Sequence, residues 1–184
     1  RAWKHERADR CGRMKIALKL LQIDEVASVT GIELDEHDED LAGGSMATIY
    51  RRLRRRPEPS LCHPFLVTVD CATVGFLMLR EGSALPYWAN PGSISLHNFR
   101  ISRKAQGRGF GTAALALAAV WIAVHRPGSS ALTLSVNEEN SSALRLYRRC
   151  GFESSGCSFA GRLGAEIVLS CGVSELLKKY VADP

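Results

Sequence analysis

Gln106-Gly107-Arg108-Gly109-Phe110-Gly111, followed by Thr112, is a glycine-rich turn between a β-forming run and an Ala/Leu-rich helical one. The first N–H groups of a helix have no partner within it, and glycines let an anion approach the backbone closely, so such a turn can hold a phosphate. Arg103, Lys104 and Arg108 add cations around it. It is not a P-loop, because Thr112 follows Gly111 with no lysine between. Nor is it a dinucleotide fingerprint. Thr112 stands where the third glycine is required, and Ser129-Ser130 stand where an acidic residue is expected. Taken alone, the spacing fits a ligand-free tight turn equally well.

Other chemistry is thinner. The six cysteines (Cys11, Cys62, Cys71, Cys150, Cys157 and Cys171) form no CxxC pair, so the spacing predicts neither a zinc site nor a disulfide framework. Reduced thiols and the absence of an apolar signal core predict a cytoplasmic protein. The longest uncharged, mostly apolar run, Phe110 to Val124, is shorter than the ~20 residues a membrane span needs. Arg51-Arg52-Leu53-Arg54-Arg55-Arg56 ends a predicted helix, where cations complement the macrodipole. It lacks interleaved aromatics other than Tyr50 and any nucleic-acid motif, so no nucleic-acid partner is expected.

The elements that must position the turn follow from pattern. At 184 residues with 46% hydrophobic and 23% charged content, the chain reads as one folded domain. Residues 1–13 are set aside as an extension or expression remnant, leaving 14–184 as the domain. Ile16, Leu18 and Leu20 alternate as a first strand. Asp24 is the expected N-cap of a helix carrying Val26, Val29 and Ile32. The acidic stretch Glu33 to Asp40 follows, and Ser45 is expected to cap a helix with Met46, Ile49, Tyr50 and Leu53 on its apolar face. Phe65–Val69 and Thr73–Arg80 read as a hairpin about Asp70-Cys71-Ala72, and Ser93–Ser102 as a further strand. Beyond the turn come a helix at Thr112–His125, a strand at Ala131–Val136 and a helix at Asn140–Cys150 closed by Gly151. Two short strands, around Phe152–Phe159 and Ala165–Leu169, precede a last helical piece, Val173–Val181. The expected class is α+β with a mixed sheet.

The turn, the strand Leu132–Val136, and then Asn140-x-x-Ala143-x-x-Leu146-Tyr147-x-x-x-Gly151-Phe152 together resemble the GCN5-related N-acetyltransferase (GNAT) superfamily. The close match covers residues 94–153. This resemblance implies a mixed central sheet of about seven strands, splayed at the cofactor site and flanked by about four helices. It implies acetyl-CoA as co-substrate and transfer of an acetyl group to a primary amine by direct attack in a ternary complex.

By the same resemblance, Gln106, Gly107, Arg108, Gly109, Phe110, Gly111 and Thr112 wrap the pyrophosphate. The exposed main chain of Phe99, Arg100 and Ile101 pairs with the pantetheine, and an N–H near Phe99–Arg100 polarises the acetyl carbonyl. Asn140 and Ala143 contact the cofactor, with Asn137 as a further candidate. Tyr147 matches a tyrosine near the sulfur, placed to protonate the departing thiolate. His97 is the first candidate for the base, read as sharing a strand face with Phe99 and Ile101. Glu81, Glu33, Glu36 and Glu166 are the alternatives. No metal is called for.

The acceptor is open. The acidic stretch falls where the superfamily borders its acceptor site, and a loose likeness to bacterial polyamine acetyltransferases points to a small cationic amine. An acyl-CoA-binding module without turnover and a protein N-terminal or lysine acetyltransferase are the alternatives. A homodimer stays open by analogy, with Val173–Val181 and the last strands as its candidate surface. The net charge of +5 then divides into unlike patches. Residues 1–13 contribute +3, the 51–56 run +5 and the remainder −3, within which residues 33–40 carry six carboxylates.

Overall fold

A computed structural model describes residues 4–6 and 14–182, with side chains from 14 to 178. Alternating apolar residues form β2 (Ile16–Leu20), which runs antiparallel between β1 (Lys4–Glu6) and β3 (Cys62–Val69). β3 turns into β4 (Ala72–Arg80) through Asp70 and Cys71, whose φ angles of 48° and 70° are those of a two-residue hairpin. β4 pairs antiparallel with β5 (Ile94–Ile101). The long helix α3 (Phe110–His125) then crosses over to β6 (Ala131–Asn137), parallel to β5. β7 (Glu153–Gly161) and β8 (Gly164–Gly172) complete an eight-stranded sheet of order β1-β2-β3-β4-β5-β6-β8-β7.

Each face of the sheet buries a separate core. Leu18, Phe65, Leu77, Leu79, Ile94 and Leu134 meet Leu115, Ala118, Trp121 and Ile122 of α3. α3 is apolar on nearly every side because the sheet, α4 (Ser141–Arg149) and α5 (Val173–Ala182) leave it little contact with water. Burying a side chain such as Ile122 completely is worth about 1.5–3 kcal/mol. On the opposite face, Phe76 and Met78 pack under α2 (Met46–Arg54), through Ile49 and Leu53, and under Val26. Ser45 caps α2 as expected, accepting the Thr48 N–H at 3.2 Å.

The expected architecture is present, with local departures. Counting β1, the described residues hold eight strands against about seven expected, and five α-helices against about four. Asp24 caps nothing. Residues Ile23–Ser28 form a short 3-10 helix opened by Gln22, whose N–H donates to the Glu25 carboxylate at 2.6 Å. Asp24 accepts instead from the Tyr50 hydroxyl and pairs with Arg54 at 3.4 Å. The acidic stretch forms α1 (Glu36–Leu41), capped by Asp35. No disulfide joins Cys62, Cys71, Cys150, Cys157 and Cys171 among the described residues, and Cys11 lies outside them. No helix among the described residues is long and apolar enough to cross a membrane.

Candidate active site

The glycine turn is built by dihedral angles. Gly107 and Gly109 adopt φ of 72° and 81°, and a Cβ on either would meet open space, so the left-handed backbone alone demands glycine there. The Gln106 side-chain amide donates to the Ile101 carbonyl at 2.9 Å and ties the turn to the end of β5. Gly109 is the N-cap of α3, without a capping side chain, and the helix ladder begins with the Ala113 N–H on the Gly109 carbonyl at 3.1 Å. The N–H groups of Phe110, Gly111 and Thr112 are thus the helix's orphan donors. Gly107, Gly109, Gly111 and Thr112 line a cavity of about 850 Å³.

That cavity exists because the sheet splits. β5 and β6 pair only at Ile94–Leu132 and Ser95–Thr133, then diverge. Past the seam, Leu96 to Ile101 of β5 face Ser135, Val136 and Asn137 of β6 across the gap. The β5 edge in the gap has main-chain groups available to an extended ligand. Asn140, Ala143 and Tyr147 of α4 close one side. Asn140 serves its own helix, accepting the Ala143 N–H at 3.0 Å. Asn137 holds the β7–β8 turn by donating to the Leu163 carbonyl at 3.1 Å.

β5 carries a bulge. Arg100 is opposite Phe76 and His97 opposite Met78, so the single residue Leu77 faces both Asn98 and Phe99, with Asn98 at φ 54°. The inserted residue reverses the alternation. Ile94 and Leu96 point to the α3 face, and so do Phe99 and Ile101. His97 therefore lies on the α2 face with Ser95 and Arg100, not with Phe99 and Ile101 as the uninterrupted period required. It still lines the cavity. Its Nε2 sits 2.8 Å from the Ser95 hydroxyl, and its ring is 6.0 Å from that of Trp88. Burial, and then the positive charges of Arg80 and Arg56, push its pKa well below the ordinary histidine value.

The phenol of Tyr147 faces the cavity, and among the described residues nothing hydrogen-bonds it. Burial, with a smaller contribution from Cys150, raises its pKa, so it carries its proton throughout the neutral range. The four alternative bases separate cleanly. Glu81 is occupied by Arg126, at 2.5 and 2.6 Å, and by His63 at 2.6 Å, away from the cavity. Glu33 pairs with Lys104 at 2.8 Å. Glu36 is exposed and does not line the cavity, whereas Glu166 does.

The expected cation ring around the turn is mostly spent elsewhere. Arg103 pairs with Asp35 at 2.6 Å and Lys104 with Glu33, because the acidic segment is folded against the β5–α3 connection. The Glu33 N–H bonds the Ser102 hydroxyl, and its carbonyl accepts the Arg103 N–H at 2.8 Å. Arg108 lies against the Met14 sulfur and over the Phe110 ring. The Arg100 side chain turns away from the turn, toward the α1–α2 loop.

That loop, α1 and the segment before it form a wall of the cavity, contributing Leu34, Asp38, Asp40, Leu41, Ala42 and Gly43. Arg162, in the β7–β8 turn, reaches across to the Asp40 carbonyl at 2.7 Å. The wall residues Asn98, Arg52, Arg162 and Leu163 escaped the sequence reading. Asn98 carries a weak signal, since asparagine tolerates the left-handed region; the others carry none.

A splayed mixed sheet with an open strand edge, a left-handed glycine turn and a protonated phenol in one cavity defines an acyl-transfer fold. The model of the acetyltransferase (GNAT) family matches residues 26–152, and the chain belongs to that family. No curated protein matches in sequence. Among solved structures, the aminoglycoside acetyltransferase AAC(6')-Ib in complex with coenzyme A superposes with a TM-score of 0.68 at 15% identity, over 90% of this chain and 99% of that one. RimJ of Mycobacterium smegmatis, in complex with CoA-disulfide, gives 0.67 at 17% identity over 92% and 91%. A chimera of the Vibrio cholerae spermidine N-acetyltransferase SpeG with hSSAT gives 0.60 at 17% identity over 88% and 98%.

Proposed function

We propose that the protein transfers the acetyl group of acetyl-CoA to a primary amine by direct attack within a ternary complex, and that the acceptor is a small cationic amine. The observation that carries the reading is the convergence, in one cavity, of the open β5 edge, the orphan N–H groups of α3 and the unpartnered Tyr147 hydroxyl. The pyrophosphate is held by the N–H groups of Phe110, Gly111 and Thr112 and by the glycine backbone before them. The pantetheine runs along the β5 edge at Phe99–Ile101.

The neutral amine attacks the thioester carbonyl, and the N–H at Phe99–Arg100 takes up the charge that develops on oxygen. The carbon–sulfur bond then breaks, and Tyr147 gives its proton to the leaving thiolate. Its raised pKa keeps that proton available at neutral pH. His97 accepts the proton of the amine. It is uncharged at neutral pH and faces the α2 side, from which the acceptor comes. Glu166 is the one alternative that also lines the cavity. Asp38 and Glu166 among the lining residues favour a cation, while Asp40 is shared with Arg162 at 3.5 Å.

Thiol release from acetyl-CoA, measured across spermidine, kanamycin and a peptide with a free N-terminus, tests this reading. Stimulation by the first two supports a small cationic acceptor. Stimulation by the peptide alone moves the acceptor to protein N-termini. Acetyl-CoA binding without stimulated release by any amine returns the chain to a non-catalytic binding module.

A further inference from the structure

Arg100 is 5% exposed, yet no carboxylate lies within hydrogen-bond reach of its guanidinium. Its Nη2 donates to the Ala42 carbonyl at 2.6 Å and its Nε to the Asn98 carbonyl at 3.3 Å. The Asn98 side chain donates to the same Ala42 carbonyl at 3.1 Å. One residue further on, Arg52 of α2 donates to the Gly43 carbonyl at 3.0 Å. Three side chains thus converge on two consecutive carbonyls of the α1–α2 loop. The contact is close: a Cβ on Gly43, whose φ is 95°, would overlap the Asn98 amide.

The arrangement is expensive and specific. A desolvated cation that hydrogen-bonds only carbonyls, with Glu39 attracting it from beyond hydrogen-bond reach, recovers less than a direct ion pair would, and burial lowers its pKa to about 10. A well-packed apolar residue would stabilise the fold at least as well. What the arginine does that an apolar residue cannot is bridge two pieces of main chain. One is the bulge of β5, where Asn98 and Arg100 flank Phe99. The other is the loop that forms the acceptor wall. The left-handed conformation of Asn98 aims its amide at that wall.

We infer that Arg100, with Asn98, is a positioning pair that fixes the acceptor wall at Ala42–Gly43 relative to the β5 bulge, so that amine and thioester carbonyl meet at one distance and angle. This rests on the acetyl-transfer reading above. The two side chains bond the loop and the bulge, whereas any contact of Arg100 with the cofactor is made by its main chain. Arg100 acts through the N–H groups of the bulge, and both act through the loop. A loosened wall misplaces the amine, and misplacement by about 1 Å costs on the order of 10²-fold in rate. The cofactor's own contacts, to main chain and to the glycine turn, stay in place.

Arg100→Met keeps the length of the stem and removes the guanidinium. With acetyl-CoA and whichever amine of the panel wild type acetylates best, kcat is expected to fall about tenfold or more and the acceptor KM to rise. The dissociation constant for acetyl-CoA stays within about twofold, and Tm does not fall, because a costly buried charge has been replaced by an apolar side chain. Amide exchange of residues 41–44 speeds up about tenfold. Asn98→Gly keeps the left-handed bulge and deletes only the amide donor, and a smaller loss in the same direction is expected. Unchanged kinetics and exchange in both variants overturn the inference. So does a loss of activity that merely tracks a lowered Tm or weakened acetyl-CoA binding. If Arg100→Met does not fold, Asn98→Gly decides by the same readouts. If wild type acetylates no amine, the acetyl-transfer reading fails by itself, and the exchange rates still decide whether the pair fixes the loop.

Discussion

The two walls of the cavity are made in different ways. The wall at the β5–α3 turn is main chain: left-handed glycines, orphan helix N–H groups and an open strand edge, with side chains such as Gln106 bracing it from behind. The wall at α1 and its following loop is held by side chains that arrive from four other places. Ser102 and Arg103 hold its beginning, Arg162 its middle, and Asn98, Arg100 and Arg52 its end. A main-chain wall suits a ligand that is always the same. A side-chain wall can be re-cut by single substitutions, which suits the partner that differs from one acetyltransferase to the next.

That contrast can be broken by experiment. The largest effect is expected at Tyr147 of α4, which belongs to neither wall. Tyr147→Phe should lower kcat by ~10²-fold or more with the acetyl-CoA dissociation constant unchanged, and steady-state kinetics with calorimetry would check both. An unchanged rate removes the phenol from the mechanism. Next comes the pH profile. Because His97 has a depressed pKa, the acid limb of kcat/KM should lie below the ordinary histidine value of about 6.5, and His97→Asn should remove that limb.

The same residue has a stability signature. The unfolded chain takes up this proton first, so the group's contribution is complete above pH about 6.5 and declines as pH falls toward the folded pKa. Denaturant titrations at pH 7 and below would show wild type losing more stability than His97→Asn. Gly109→Ala comes third. Left-handed backbone costs a residue with a side chain about 1–2 kcal/mol, so acetyl-CoA affinity should drop about tenfold while the acceptor KM hardly moves. A parallel shift in both constants would erase the distinction between the walls. The smallest effect is expected at Lys104→Gln. The pair with Glu33 is exposed at both ends, so Tm and both binding constants should stay within error.

How much of this was legible follows from the same division. The turn, the helix it opens and the hairpin at Asp70-Cys71 announce themselves through local residue types, because dihedral angles are a local property. The partners of Arg103 and Lys104 do not. Asp35 and Glu33 lie about 70 residues earlier in the chain, and only the folded sheet brings them into contact. Glu81 looked available as a base, but His63 and Arg126, from two other elements, consume it. His97 was assigned to the wrong face for a sharper reason. Period-two counting assumes an unbroken strand, and Asn98 breaks this one without glycine or proline to mark the place.

The bulge at Asn98 makes chain length, and not only residue identity, a determinant of this site. Deleting that single residue would restore the simple alternation of β5 and rotate everything after it by half a turn. Phe99 and Ile101 would leave the α3 core for the α2 side, and the Arg100 guanidinium would be driven into the apolar layer beneath α3. In this chain, at this one point in the middle of a strand, the two faces of β5 depend on the count of residues.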